Sequence, residues 1–176
     1  MPRLLQIAQL GHPILRQKAK TVKNIDDPKI QNLIDDLLAT LDEVGGMGLS
    51  APQVYASYRV FIMASHPSPR YPNAPEMEPT AIINPKIISH SKETTTEWES
   101  CLSFLGIRGL VPRFRSIAVQ FTTRDGKKVK TEFTEFAARI FQHEYDHLNG
   151  LVLLDRLEST KDIIAEKEFL RLISKK

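Results

Sequence analysis

His143-Glu144-Tyr145-Asp146-His147 constrains this chain more than any other feature. Two histidines four residues apart face the same way on an α-helix, where both imidazoles can converge on one metal ion with Glu144 beside them. The surrounding sequence supports a helix over residues 135–149. Thr134 stands near the cap, Gly150 falls just past the end, and apolar Phe136, Ile140, Phe141 and Leu148 lie along it. A solvated helix face that bears two histidines is the alternative, because the motif alone gives false positives.

Two histidines leave a metal short of ligands, since catalytic zinc sites have three protein ligands and a water. The extended motif H-E-x-x-H-x-x-G-x-x-H is excluded: Gly150 fits its glycine, but Leu153 stands where the last histidine belongs. Glu166 and Glu168, about 20 residues on, are one source of a third ligand, and equally read as a charged helix face. Cys101 is the other. A thiolate is a good ligand in an electropositive site, although a lone cysteine is commonly a small buried hydrophobe. A single cysteine also rules out an internal disulfide framework and fits a reducing cytosol.

With 176 residues, 41% of them apolar, the chain is long enough for one packed core and too short for two full domains. Lys+Arg 24 against Asp+Glu 21 gives a mixed surface, with no case for nucleic acid or an anionic membrane as partner. No run of about 18 apolar residues is present to span a bilayer, and the first ten residues lack the apolar stretch of a signal peptide. A cytoplasmic location is expected.

A second helix is predicted over residues 27–46, with Asp27 as N-cap, Pro28 in the first turn, a stripe of Ile30, Leu33, Ile34, Leu37, Leu38, Leu41 and Val44, and Gly45-Gly46 to end it. Strand-like runs follow at 58–64 and 81–83, separated by a surface loop over 65–79 that holds five prolines. Segments 115–123 and 128–134 flank Asp125-Gly126 as a hairpin. Residues 162–173 read as a terminal helix. Strands in the middle with helices early and late, and no crossover helices, give the expected fold class: α+β, antiparallel strands packed around a central metal-binding helix, with an N-terminal helix and a C-terminal helix, in a single domain over 1–176.

Three blocks decide among the ligands. They are Gly46-Met47-Gly48-Leu49-Ser50-Ala51-Pro52-Gln53, Glu99-Ser100-Cys101-Leu102-Ser103, and Gln142-His143-Glu144-Tyr145-Asp146-His147-Leu148-Asn149-Gly150. In this order they resemble the motifs of peptide deformylases, which remove the formyl group from newly made polypeptides. Gly11-His12-Pro13-Ile14-Leu15-Arg16, Ile83-Asn84-Pro85 and Gly106-Ile107-Arg108-Gly109 extend the resemblance to about Arg156. It implies that Cys101, His143 and His147 hold the metal and that activated water attacks the formyl carbon with Glu144 as general base and then acid. Gln53 and the backbone N–H of Leu102 would receive the oxyanion. The block around Gly46, Met47 and Gly48 would pair with extended substrate, with Glu99 near the methionine pocket and Phe136 and Ile140 as its apolar wall. Core packing is the alternative for these apolar residues, and a surface amide for Gln53.

The resemblance further implies ferrous iron in the cell, with zinc, nickel or cobalt as substitutes, and N-formyl-Met nascent polypeptides as partners. A monomer is expected, with transient ribosome contact through Arg171, Lys175 and Lys176, a segment equally read as a solvated tail. Two departures stand out. Ser100 replaces the usual glycine before the ligand cysteine, and is expected to strain the backbone or crowd the formyl site; Leu105 replaces a common proline. The rival readings are a metalloprotease built on Glu166 or Glu168 and a non-catalytic metal-stabilised binding module.

Overall fold

The computed structural model describes residues 2–67, 71 and 74–174. Helix α1, Pro28–Val44, begins as the sequence dictates: the Asp27 carboxylate accepts the Lys29 N–H at 2.9 Å, and Gly45 ends the helix at φ 61°. Strands β1, Gly48–Ser50, and β2, Val60–Ser65, come next, followed by β3, Met77–His90. β4, Thr94–Cys101, and β5, Phe104–Phe114, form a hairpin closed by Leu102-Ser103. β6, Ser116–Thr122, and β7, Lys128–Thr134, make the predicted second hairpin. Helix α2, Glu135–Leu148, carries the histidine motif, and β8, Ile163–Ala165, leads into α3, Glu166–Ile173.

Two antiparallel sheets result, ordered β1-β2-β3-β6-β7 and β4-β5-β8. The larger sheet is covered on both faces, which explains why β2 is buried throughout and apolar from Val60 to Ala64. Val60, Ile62 and Ala64 join α1 residues Ile34, Leu37 and Leu41 in one core. Phe61 and Met63, pointing the other way, join α2 residues Ala138, Phe141 and Leu148 in a second. Each buried Val, Leu, Ile, Phe or Met side chain here contributes about 1.5–3 kcal/mol. Helix α2 turns its polar face to the smaller sheet. There Gln142 accepts the Phe114 N–H at 3.0 Å and donates to the Phe114 carbonyl at 2.9 Å, while Arg139 donates to the Val111 carbonyl at 2.9 Å. The central metal-motif helix between antiparallel strands is therefore the expected α+β arrangement.

Several local expectations change. The strand at 81–83 runs from 77 to 90, because Asn84 lets it serve two partners: at φ 51° it bends the strand, and its side-chain amide exchanges two 2.9 Å hydrogen bonds with the Val22 backbone. The proline-rich loop over 65–79 is correspondingly shorter, and its residues 68–70 and 72–73 lie outside the described residues. The terminal helix starts at Glu166 rather than 162, since residues 163–165 pair with β5. Thr134 precedes α2 but makes no side-chain cap bond. Glu135 takes φ 50°, held by its N–H to the Arg115 carbonyl at 2.8 Å and by the Arg115 guanidinium on its carboxylate. Gly150, at φ 75°, closes the other end; a Cβ there would stand 2.7 Å from the Arg16 carbonyl oxygen.

Candidate metal centre and active site

Cys101 ends β4 against the face of α2 that bears His143 and His147, and one ligand atom from each residue lies within 4.8 Å of the others. Cys101 Sγ is 3.3 Å from His147 Nε2. All three residues are 9% exposed or less. The thiol comes from a strand and the imidazoles from a helix, so the cluster exists only in the folded chain. Glu166 and Glu168 do not join it. Glu166 pairs with Arg108 and Glu168 with Arg171, which removes the ligand the metalloprotease reading requires.

The surroundings orient the cluster. Glu99 Oε2 lies 2.9 Å from His143 Nδ1, which leaves the opposite ring nitrogen for a cation. Glu99 is gripped in turn by Arg113, at 2.9 and 3.0 Å, and by Arg139 at 2.8 Å. Burial alone would raise the Glu99 pKa, but Arg113 and the His143 hydrogen bond hold the carboxyl well below its ordinary range. Arg113 also reaches Asp146, which Arg156 holds from the other side. Glu99 was expected by the pocket. It does line the cavity, but its carboxylate is engaged with the metal-motif helix.

Glu144 is 3% exposed and its Oε2 has no hydrogen-bond partner among the described residues. Burial is the largest influence on it and pushes its pKa up to about 7, suited to exchanging protons near neutrality. Gly48 was expected where the backbone turns tightly or approaches substrate closely, and it lines the cavity; Glu144 also packs against it, so that a Cβ on residue 48 would stand 2.7 Å from Glu144 Cδ. The glycine is thus required by the carboxylate. Gln53 is 1% exposed, so the surface-amide alternative fails. Its Oε1 accepts both the N–H and the hydroxyl of Ser50 at 2.9 Å, which turns the amide nitrogen toward Cys101 Sγ at 3.6 Å and Ser103 Oγ at 3.2 Å. Leu102, directly after Cys101, lies in the β4–β5 turn.

A cavity of about 520 Å³ opens beside the cluster. Its lining includes Gly46, Met47, Gly48, Glu99, Phe136 and Ile140, all singled out in the sequence, and also Tyr71, Trp98, Leu105 and Glu166. Trp98 and Tyr71 carry no motif signal; the hint at Trp98 is the single tryptophan three residues from Cys101. Ser100 lines the cavity too. Among the described residues the non-glycine positions with positive φ are Tyr55, Asn84 and Glu135, so the expected backbone strain at Ser100 is absent.

The donor set, one sulfur and two imidazole nitrogens, suits a divalent transition ion. The buried, unpartnered Glu144 Oε2 and the buried Glu99–His143 pair are consistent with a loaded site. An α+β fold that gathers such ligands, an adjacent carboxylate of raised pKa and an amide donor on the wall of a cavity defines a metal-dependent hydrolase. Comparisons with known proteins narrow that class. The sequence model of the polypeptide deformylase family matches residues 4–162. The chain is similar to peptide deformylase 2 of Nostoc sp., at 58% identity over 99% of this chain and 97% of the relative. Its identity to peptide deformylase 2 of Shewanella oneidensis is 40%, covering 93% and 90%. A Met-Ala-Ser-bound class I type b peptide deformylase from Acinetobacter baumannii superposes with a TM-score of 0.87 at 42% identity, over 89% of this chain and 100% of that one. The chain belongs to the peptide deformylase family. It is a hydrolase, and its reaction is the family's removal of the N-formyl group from nascent polypeptides.

Proposed function

We propose that Cys101, His143 and His147 hold one divalent ion, and that Glu144, Gln53 and Leu102 act on the formyl amide of an N-terminal formylmethionine beside it. When bound, the ion supplies Lewis acidity and makes water a stronger acid. Glu144 takes a proton from the attacking water and delivers it to the leaving amine as the C–N bond breaks, so formate and a free methionine amine result. The Gln53 amide N–H, aimed by Ser50, and the Leu102 backbone N–H receive the oxyanion. A donor so placed is worth about 2.7–4 kcal/mol.

Substrate would lie extended along β1, the terminal strand of the larger sheet, whose first residue, Gly48, lines the cavity. Met47, Phe136 and Ile140 would wall the methionine subsite, with the adaptable thioether of Met47 facing a thioether. In the cell the ion is ferrous iron, with zinc, nickel or cobalt as substitutes. The protein works as a one-domain cytoplasmic monomer on nascent chains, with transient ribosome contact. No helix among the described residues is long and apolar enough to cross a membrane. Of the basic end, Arg171 is exposed and paired with Glu168, while Lys175 and Lys176 lie outside the described residues.

The convergence of Cys101, His143 and His147 beside Glu144 carries this reading. Protein purified without oxygen and carrying Glu144→Gln should stay folded and metal-loaded but release formate from a formyl-Met peptide about 10²–10⁴-fold more slowly. Undiminished release would overturn the assignment.

A further inference from the structure

Leu102 and Gln53, whose N–H groups are assigned to the oxyanion, sit on different elements, Leu102 in the β4–β5 turn and Gln53 in the single helical turn Ala51–Val54. Residues 8–10 bridge the two. The Ala8 N–H donates to the Gln53 carbonyl at 2.7 Å, and the Leu10 N–H donates to the Ser103 carbonyl at 2.7 Å. Between them, the Gln9 side-chain amide donates to the Leu102 carbonyl at 3.1 Å and to the Ile7 carbonyl at 3.2 Å. Gln53 Nε2 spans the same gap directly and reaches Ser103 Oγ at 3.2 Å.

This bridge is anchored on both sides. Upstream, the Arg3 N–H and guanidinium reach the buried Asp36 carboxylate at 2.7 and 3.0 Å, and the Leu5 N–H reaches Oγ1 of buried Thr40 at 2.9 Å, both on α1. Ala8 itself is wholly buried, and so, downstream, is Leu15 in the helical turn Pro13–Arg16. Residues 8–10 therefore form a fixed bar against which the two donor segments are set.

Of these three residues only Gln9 has a side chain that can donate, and it is exposed. Its bond to the Leu102 carbonyl fixes the peptide unit directly after the Leu102 N–H. An oxyanion donor has to stand about 2.7–3.1 Å from the developing charge, and a misplacement of about 1 Å costs on the order of 10²-fold. Gln9 bears on that spacing although it is not among the described residues that line the cavity.

We propose that Gln9 is a positioning residue, which holds the Leu102 peptide so that its N–H and the Gln53 amide keep the spacing an oxyanion requires. The proposal rests on the deformylase reading and on the roles given there to Leu102 and Gln53. Charge on the oxygen develops only in the transition state, so a loss of spacing lowers kcat and leaves KM alone. The test uses the full chain, purified without oxygen, with Gln9→Met, which keeps the length of the side chain and removes its donor.

Release of formate from a formyl-Met peptide should fall about 3–10-fold in kcat, the range set by one neutral hydrogen bond, with KM and metal content as in the wild type. In the zinc-loaded protein, the NMR resonances of the Leu102 carbonyl carbon and of the Gln53 side-chain amide should both move. Where Gln9→Met does not fold, Gln9→Ala is read the same way. An unchanged kcat overturns the proposal, as does a loss carried by KM or by metal content, or a spectral change confined to residues 7–9. Should the wild type release no formate while both resonances still move in the variant, the clamp stands and the deformylase chemistry fails instead.

Discussion

At Ser100 the family motif usually has glycine, and the sequence alone raised the prospect of strain. The observed backbone does not require it, because Ser100 is outside the set of positive-φ residues. Glycine at that strand position would gain no relief and would add unfolded-state freedom, costing roughly 0.5–1 kcal/mol. Ser100→Gly should therefore lower the urea midpoint; a rise would show strain after all. Gly48 illustrates the opposite case. Its missing side chain is filled by Glu144, a contact between residues nearly a hundred positions apart. Both residues were marked in the sequence, but nothing local reveals that these two distant positions meet. Glu99 shows the same limit. Its partners Arg113, Arg139 and His143 come from β5 and α2, and charged residues in a sequence do not declare which of them will be buried together.

Helices were legible where periodicity and caps agreed. α1 begins at the expected Asp27 cap, and Asp27→Ala should cost about 1 kcal/mol in chemical denaturation. No loss of stability would mean the Lys29 N–H is satisfied equally well by water. β4 and β5 were not anticipated, although they supply Cys101 and the wall of the cavity. Gly106, Gly109 and Pro112 interrupt the β5 pattern, and its pairing is set by β4 on one side and β8 on the other rather than by its own alternation. The two strands matter to the metal through Glu99. Glu99→Gln keeps the shape but weakens the hold on His143 and leaves Arg113 and Arg139 without their shared carboxylate, so metal affinity should fall about 10–100-fold in a competition titration. Unchanged affinity would reduce Glu99 to a packing role.

Across the whole molecule, the Cys101, His143 and His147 cluster joins the smaller sheet to the helix that covers the larger one. An ion that binds only the folded chain stabilises it by mass action, so removing it with a chelator should lower Tm reversibly. A Tm indifferent to chelation would separate the site from the fold. The most direct measurement is the metal content of Cys101→Ala purified without oxygen beside the wild type. One ion per chain in the wild type, and loss of that ion with retained fold in the variant, is the predicted result. A variant that keeps one tightly held ion would contradict the three-ligand centre on which the chemistry depends.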